Sequence, residues 1–197
     1  MTSEYYRLRN DSSKLGMEDA EILEKFANKR TREEAFTMLL NKYQERIYWH
    51  VRRYVLNHDD ADDLVQDIFV KIWNNLDKFR ADAKLYTWIY RIATNESITF
   101  LNKKKQMLNV SLNEESSSYL LDTLTQTSYF DASKAELKLQ EALLILPDKQ
   151  RLVFNMKYFE DLKYDEISEI LGTSVGALKT SYHFAVKKIE KYFSETD

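Results

Sequence analysis

The chain has 197 residues, 44% hydrophobic, 31% charged and 13% aromatic, with three glycines and one proline; this excludes turn-rich all-β folds and wholesale disorder and suits one or two mainly helical domains. No cysteine is present, which removes disulfides, thiolate zinc sites and cysteine nucleophiles and makes a cytoplasmic setting the simplest expectation. A net charge of −3 gives no global attraction to a polyanion, so any such role must rest on local charge.

In chain order, the N-terminal stretch lacks the apolar core of a signal peptide. Nowhere does the chain approach the roughly 18 consecutive apolar residues of a membrane span, so no direct membrane insertion is expected. A short helix is predicted from Met17 to about Asn28. Phe36, Leu39, Leu40, Tyr43, Ile47, Val51 and Tyr54 then recur at helical spacing and predict a long amphipathic helix from about Thr31 to Leu56. The clearest pattern follows. Leu64, Val65, Ile68, Phe69, Ile72, Trp73 and Leu76 form one apolar stripe, with Asp63, Gln66, Asp67, Val70 and Asn74 turned away and Asp59 or Asp60 placed to cap it. After a polar loop from Asp77 to Ala83, a fourth helix carries Leu85, Trp88, Ile89, Ile92, Ala93 and Phe100 and ends in Lys103, Lys104 and Lys105. Residues 107–131 are rich in Ser, Thr and Asn and weak in periodicity, and read as a linker.

Beyond it, Ala135 to Leu146 reads as a helix stopped by Pro147, because the residue before a proline is pushed out of the α region. A new helix starts at Pro147, carrying Leu152, Val153, Met156, Tyr158 and Phe159, and leads into a tight helix-turn-helix. There Ile167, Ile170 and Leu171 make one short apolar face, Gly172 suits a left-handed residue, and Ser174 is placed to cap the last helix. The expected fold is all-α: two small helical domains joined by a flexible linker, the C-terminal one containing the helix-turn-helix. The boundaries predicted are an N-terminal tail 1–19, a first domain 20–106, a linker 107–134 and a second domain 135–197.

Local charge is far from even. Residues 78–106 hold seven cations and two carboxylates, a net +5, whereas 57–67 hold Asp59, Asp60, Asp62, Asp63 and Asp67 with no Lys or Arg. The basic segment interleaves Phe79, Tyr86, Trp88 and Tyr90 with Lys84 and Arg91, the mixture suited to stacking single-stranded bases and neutralising their phosphates. Trp88 falls on the apolar stripe and is assigned to packing; Tyr86 and Tyr90 lie off it and are the better candidates for nucleic acid. On the last helix, Val175, Leu178, Tyr182, Val186 and Ile189 face inward and leave Gly176, Ala177, Lys179, Thr180, His183 and Lys187 outward. A DNA-reading helix has this form: small residues in its first turn admit the backbone to a groove, and Lys179, Thr180 and His183 reach base edges or phosphates. The bland reading is a helical hairpin with solvated lysines, and the acidic face of the third helix reads as solvated in the same way. No enzyme signal competes: His50, His58 and His183 are widely spaced, no phosphate loop exists and the acidic cluster lacks EF-hand glycine spacing. Neither a metal nor a cofactor is expected.

Two runs together resemble one family, the extracytoplasmic-function (ECF) sigma factors of bacterial RNA polymerase. The first is DDADDLVQDIFVKIWNNL followed by KLYTWIYRIATNESITFLNKKK; the second is LPDKQRLVFNMKYFEDLKYDEISEILGTSVGALKTSYHFAVKKIEKYF. The resemblance implies that Asp62, Asp63, Gln66 and Asp67 dock on the clamp coiled coil of the large polymerase subunit. It implies that the loop Asp77 to Ala83 captures an unpaired base of the −10 element and that Lys84, Tyr86, Arg91, Asn95, Lys103, Lys104 and Lys105 contact the melted strand or adjacent duplex. It also implies that the helix Ser174 to Lys191 reads the −35 element, through Ser174, Gly176, Ala177, Lys179, Thr180, His183 and Lys187. Partners implied are core RNA polymerase, promoter DNA and an anti-sigma factor, often membrane-anchored.

One departure stands out. Family members often carry several arginines along the reading helix, but Ser181, Phe184 and Val186 stand at those positions here, leaving lysines and His183 as the cationic contacts and no bidentate arginine fork for guanine. Two other classes remain at this point. A conventional helix-turn-helix regulator would bind a two-fold symmetric operator as a dimer, and a helical adaptor would bind protein only.

Overall fold

The structure, a computed structural model, describes residues 12–80, 82–107 and 134–196. Among them it is entirely helical: α1 (Ser12–Ala27), α2 (Arg32–Val55), α3 (His58–Asn75), a single 3-10 turn (Leu76–Lys78), α4 (Leu85–Met107), α5 (Lys134–Leu144), α6 (Asp148–Tyr158), α7 (Tyr164–Leu171) and α8 (Val175–Thr196). Residues 108–133 of the expected linker and the N-terminal eleven residues lie outside the described residues, whereas Met107 and Lys134, expected at its ends, belong to α4 and α5.

Of the predicted α2 stripe, Leu39, Tyr43, Ile47, Val51 and Tyr54 are buried and Phe36 and Leu40 half-buried, with Ala35 adding to it at the start. It packs on α1, α3 and α4. Helix α3 buries Leu64, Val65, Ile68, Phe69 and Ile72. Trp73 meets the rings of Phe26 and Phe36 edge-on at centroid separations of 5.4 and 4.9 Å, locking α1, α2 and α3 together. The cap of α3 differs from expectation: Asn57, not Asp59 or Asp60, is the N-cap, its side chain accepting from the Asp60 amide at 3.0 Å. Leu56 explains the shift. It ends α2 in the left-handed region (φ 62°), so the chain turns one residue earlier and leaves Asn57 extended at the helix entrance.

In the C-terminal half, Pro147 is the N-cap of α6 rather than its first residue, and α5 stops at Leu144. Tyr158, predicted among the apolar residues of this helix, is more than half exposed at its end. Gly172 takes φ 61° as the C-cap of α7, and Ser174 accepts a long hydrogen bond from the Ala177 amide at 3.4 Å. A small core of Ala142, Leu143, Leu146, Phe154, Ala185 and Ile189 joins α5, α6 and α8.

The larger core is not confined to one half. Leu152, Val153, Met156, Leu162, Ile167, Ile170 and Leu178 from the C-terminal half are continuous with the apolar interior of α1 to α4. The two helical domains are therefore packed against each other, chiefly α4 on α7 and α2 on α6.

Candidate functional site

Three surfaces gather the residues that the sequence singled out. On α3, the stripe facing α2 turns Asp63, Gln66, Asp67, Val70, Lys71 and Asn74 outward, all exposed. Val70, at 60% exposure, sets an apolar patch among the carboxylates. Asp62 lies at the edge of this face, 3.4 Å from His58 Nδ1. A carboxylate face with a central apolar residue suits a basic, partly apolar protein surface.

The second surface is the basic side of α4. Lys84, Arg91, Asn95 and Lys103 are exposed, and Tyr86 is half-buried. Lys104 forms an ion pair with Asp60 that ties the end of α4 to the start of α3. The side chain of Lys105 lies outside the described residues. Tyr90 is a correction: it is 1% exposed, its ring 5.0 Å from that of His50. The sequence pattern misplaced it because α4 is covered on more than one side, by α2 and α3 and by α7, so its buried arc is wider than one stripe.

This basic side is engaged by the C-terminal half. Glu166 of α7 lies 3.3 Å from Lys84 Nζ and accepts the Lys163 backbone N–H at 3.0 Å, closing the first turn of its own helix. Burial pushes the Glu166 carboxyl up, but hydrogen bonds from the Tyr86 hydroxyl, the Lys163 amide and Lys84 outweigh it and hold the group below the usual carboxylate range. The Tyr86 hydroxyl is pushed up, first by burial and then by the same carboxylate. Arg91 donates to the Glu169 carbonyl at 2.6 Å. Beside these contacts sits a buried seam. His50 Nδ1 lies 2.7 Å from Glu160 Oε1 and Nε2 lies 3.0 Å from the Thr94 hydroxyl. A carboxylate only accepts, so the Nδ1 proton is fixed towards Glu160. Arg53 approaches the same carboxylate at 3.8 Å and covers the Phe159 ring at 4.6 Å, and the Tyr54 hydroxyl donates to the Leu152 carbonyl at 3.4 Å. Glu160 Oε2 is buried without a protein partner.

Glu166 escaped the sequence reading because an acidic residue on an amphipathic helix looks solvated, Glu160 because it sits in the turn between α6 and α7, and Glu169 because it engages through its backbone carbonyl. His50 carried a usable signal, since it falls on the apolar stripe of α2 between Ile47 and Tyr54, where a histidine must find polar partners.

The third surface is α8. Leu178, Ala185 and Ile189 are buried; Ser174, Gly176, Ala177, Lys179, Thr180, His183, Phe184 and Lys187 are all exposed. Thr180 returns its hydroxyl proton to the Gly176 carbonyl at 3.0 Å, and Lys179 Nζ lies 5.8 Å from the centre of the Tyr164 ring.

Among the described residues the chain is all-helical, with an acidic face on α3, a basic α4 and a helix-turn-helix carrying an outward polar helix, an arrangement suited to a two-domain protein that meets DNA. Comparison with known proteins fixes the class. The family model described as Sigma-70 region 2 matches residues 39–107, and that described as Sigma-70, region 4 matches residues 136–189. The chain is 32% identical over 170 residues to the ECF RNA polymerase sigma factor SigW of Bacillus subtilis, covering 83% of this chain and 91% of that one. It is 28% identical over 165 residues to the ECF RNA polymerase sigma-E factor of Escherichia coli K12, covering 80% and 86%. Among solved structures its fold is similar to CnrH in complex with the cytosolic domain of CnrY (TM-score 0.62, 20% identity, 92% and 97% covered). It is also similar to RpoE in complex with the anti-sigma factor NepR from Bartonella quintana (TM-score 0.63, 19% identity, 82% and 98% covered). The chain belongs to the ECF sigma factor family of RNA polymerase.

Two sigma-70 regions in this order leave the operator-binding dimer and the helical adaptor without support. No helix among the described residues is long and apolar enough to cross a membrane.

Proposed function

We propose that this sigma factor acts in the cytoplasm and docks core polymerase through the α3 face, with Asp62, Asp63, Gln66 and Asp67 as contacts. Lys84, Tyr86, Arg91, Asn95, Lys103, Lys104 and Lys105 hold the melted −10 strand and adjacent duplex, and α8 reads the −35 element through Ser174, Gly176, Ala177, Lys179, Thr180, His183 and Lys187. The functional division follows residues 20–106 for polymerase docking and melting and 135–197 for −35 binding, joined by 107–134; the expected tail 1–19 is cut back by α1, which begins at Ser12 and carries the buried Asp19. The chain itself carries no catalytic chemistry; bond making belongs to the polymerase. Following the solved relatives bound to partner proteins, an anti-sigma factor restrains it.

The observation that carries this reading is the pairing of an exposed acidic face on α3 with an exposed polar and basic face on α8 in one chain. Mechanistically, cationic contacts supply salt-dependent affinity, each lost phosphate contact lowering the log–log salt slope by about 0.9. Unpairing costs a few kcal/mol, which capture of an unstacked base at the correct sequence offsets.

The test is assembly with cognate core polymerase followed by transcription from a promoter library. The wild-type chain is expected to co-elute with core and to produce transcripts sharing two spaced elements. Asp67→Lys is expected to abolish co-elution with a melting temperature unchanged, because Asp67 is exposed. Intact assembly by that variant would remove the α3 face from the docking role.

A further inference from the structure

We infer that Phe184 is a specificity-determining residue of α8 that reads thymine methyl groups in the major groove, replacing guanine readout with apolar readout. The inference rests on the proposed −35 role of α8 and deepens it.

Large aromatic side chains on a helix of a small domain normally serve the core, and on α8 Tyr182, Tyr192 and Phe193 do so, each partly buried against the inner clusters. Phe184 does not. It is 49% exposed, and among the described residues its ring neighbour is His183, at 6.0 Å and 54°. At 100° per residue, Gly176, Thr180, His183, Phe184 and Lys187 fall within one arc of about 100°. All five are exposed, and Phe184 stands one turn beyond Thr180.

The chemistry of that arc decides what it reads. It contains no arginine, so the planar guanidinium fork for guanine O6 and N7 is missing, and Lys187 and His183 are the donors left on the arc. Thr180 has its hydroxyl proton committed to the Gly176 carbonyl, which leaves a methyl group and acceptor lone pairs to present. Gly176 and Ala177 add no bulk at the first turn, and the ideal Cβ position at Gly176 meets nothing within 4 Å. Lys187, on the arc, and Lys179, just outside it, supply cations for phosphates. Apolar groups set beside cations on one helix face match a groove floor bearing methyl groups beside phosphate walls. The only apolar group that a base pair presents in the major groove is the C5-methyl of thymine.

The test isolates that methyl. A duplex library randomised across the −35 region is selected with the full chain assembled as holoenzyme, and each thymine of the enriched element is then replaced singly by deoxyuridine, which removes the methyl and keeps every hydrogen-bonding group. Wild-type holoenzyme is expected to lose about fourfold in affinity at one or two positions, the value for one buried methyl-sized group. Phe184→Ala is expected to bind thymine and deoxyuridine equally at those positions, Phe184→Leu to keep part of the discrimination, and Phe184→Arg to move the selected base towards guanine. Circular dichroism of each variant confirms that it is folded. Equal binding of thymine and deoxyuridine by the wild type, or discrimination that survives in Phe184→Ala, overturns the inference and leaves the −35 role intact. A selection that enriches no upstream sequence overturns the −35 role of α8 itself, and this inference with it.

Discussion

Single residues at the centre of the fold carry a pH dependence with a definite sign. The hydroxyls of Tyr43, Tyr54 and Tyr90 are all pushed up, in each case chiefly by burial, because a phenolate has no place in an apolar interior. Next in rank, Asp19 raises Tyr43, to which it is hydrogen-bonded at 2.7 Å, and Glu160 raises Tyr54 and Tyr90. A folded-state pKa above the unfolded value of about 10 means that the stabilisation is complete below pH 10 and is lost as pH rises beyond it. Stability is therefore expected to be flat on this account from pH 7 to about 9.5 and to fall steeply above 10. Each such tyrosine contributes up to about 1.4 kcal/mol per pH unit. Tyr90→Phe keeps the ring contact with His50 and is expected to remove one proton's worth of that slope. Urea unfolding at pH 9 and 10.8 checks it: an unchanged slope would mean that Tyr90 ionises freely in the folded chain.

At the scale of elements, the helix-turn-helix depends on one backbone conformation. Gly172 caps α7 at φ 61°, and a Cβ added there meets nothing within 4 Å, so the cost of Gly172→Ala is conformational, not steric crowding by neighbours. It is expected to be about 1 kcal/mol, with Gly172→Asn costing less because asparagine tolerates the left-handed region. Thermal unfolding of both variants would expose a larger cost if the turn also sets how α7 meets α4. This turn was legible in sequence because glycine and serine at fixed offsets leave few alternatives, and the α2 and α3 stripes were legible because one face of each supplies nearly all of its burial. The outward residues of α8 were legible for the same reason. Tyr90 was not, because α4 is packed from two directions and a one-stripe pattern assigns its second buried face to solvent. The Asn57 cap was hidden by Leu56, whose left-handed φ no periodicity announces. The contacts of Glu160, Glu166 and Glu169 belong to pairing between elements more than 60 residues apart in sequence, and no local signal records such pairing.

At the scale of the whole molecule, the packed arrangement and the proposed promoter function make opposing demands. A compact chain of this length has a radius of gyration of about 16 Å and is about 40 Å across. Elements centred at −10 and −35 lie roughly 25 base pairs apart, about 85 Å along straight duplex at 3.4 Å per step. The packed chain cannot cover both, and its Lys84, Tyr86 and Arg91 are already held by α7. The residues between Met107 and Lys134 can extend to at most about 90 Å, enough to let the halves part without any change inside either. The seam is suited to reversible parting: the Lys84–Glu166 pair is partly solvated, and the buried Glu160 carboxylate keeps one oxygen unpaired. Because the chain has no cysteine, Gln44→Cys and Lys188→Cys give two unique, exposed labelling sites, one on α2 and one on α8. Pulsed dipolar spectroscopy on this pair is expected to give a single short distance in the free chain and one longer by tens of ångströms in the holoenzyme. Adding Glu160→Ala and Glu166→Lys, which strip His50 and Arg53 of their partner and set two lysines against each other, is expected to produce the long distance without polymerase. It is also expected to raise the affinity of the free chain for promoter duplex several-fold. A short distance that persists in the holoenzyme on promoter DNA would mean that the halves stay packed, and the two-element reading would then have to give way to recognition of the −10 region alone.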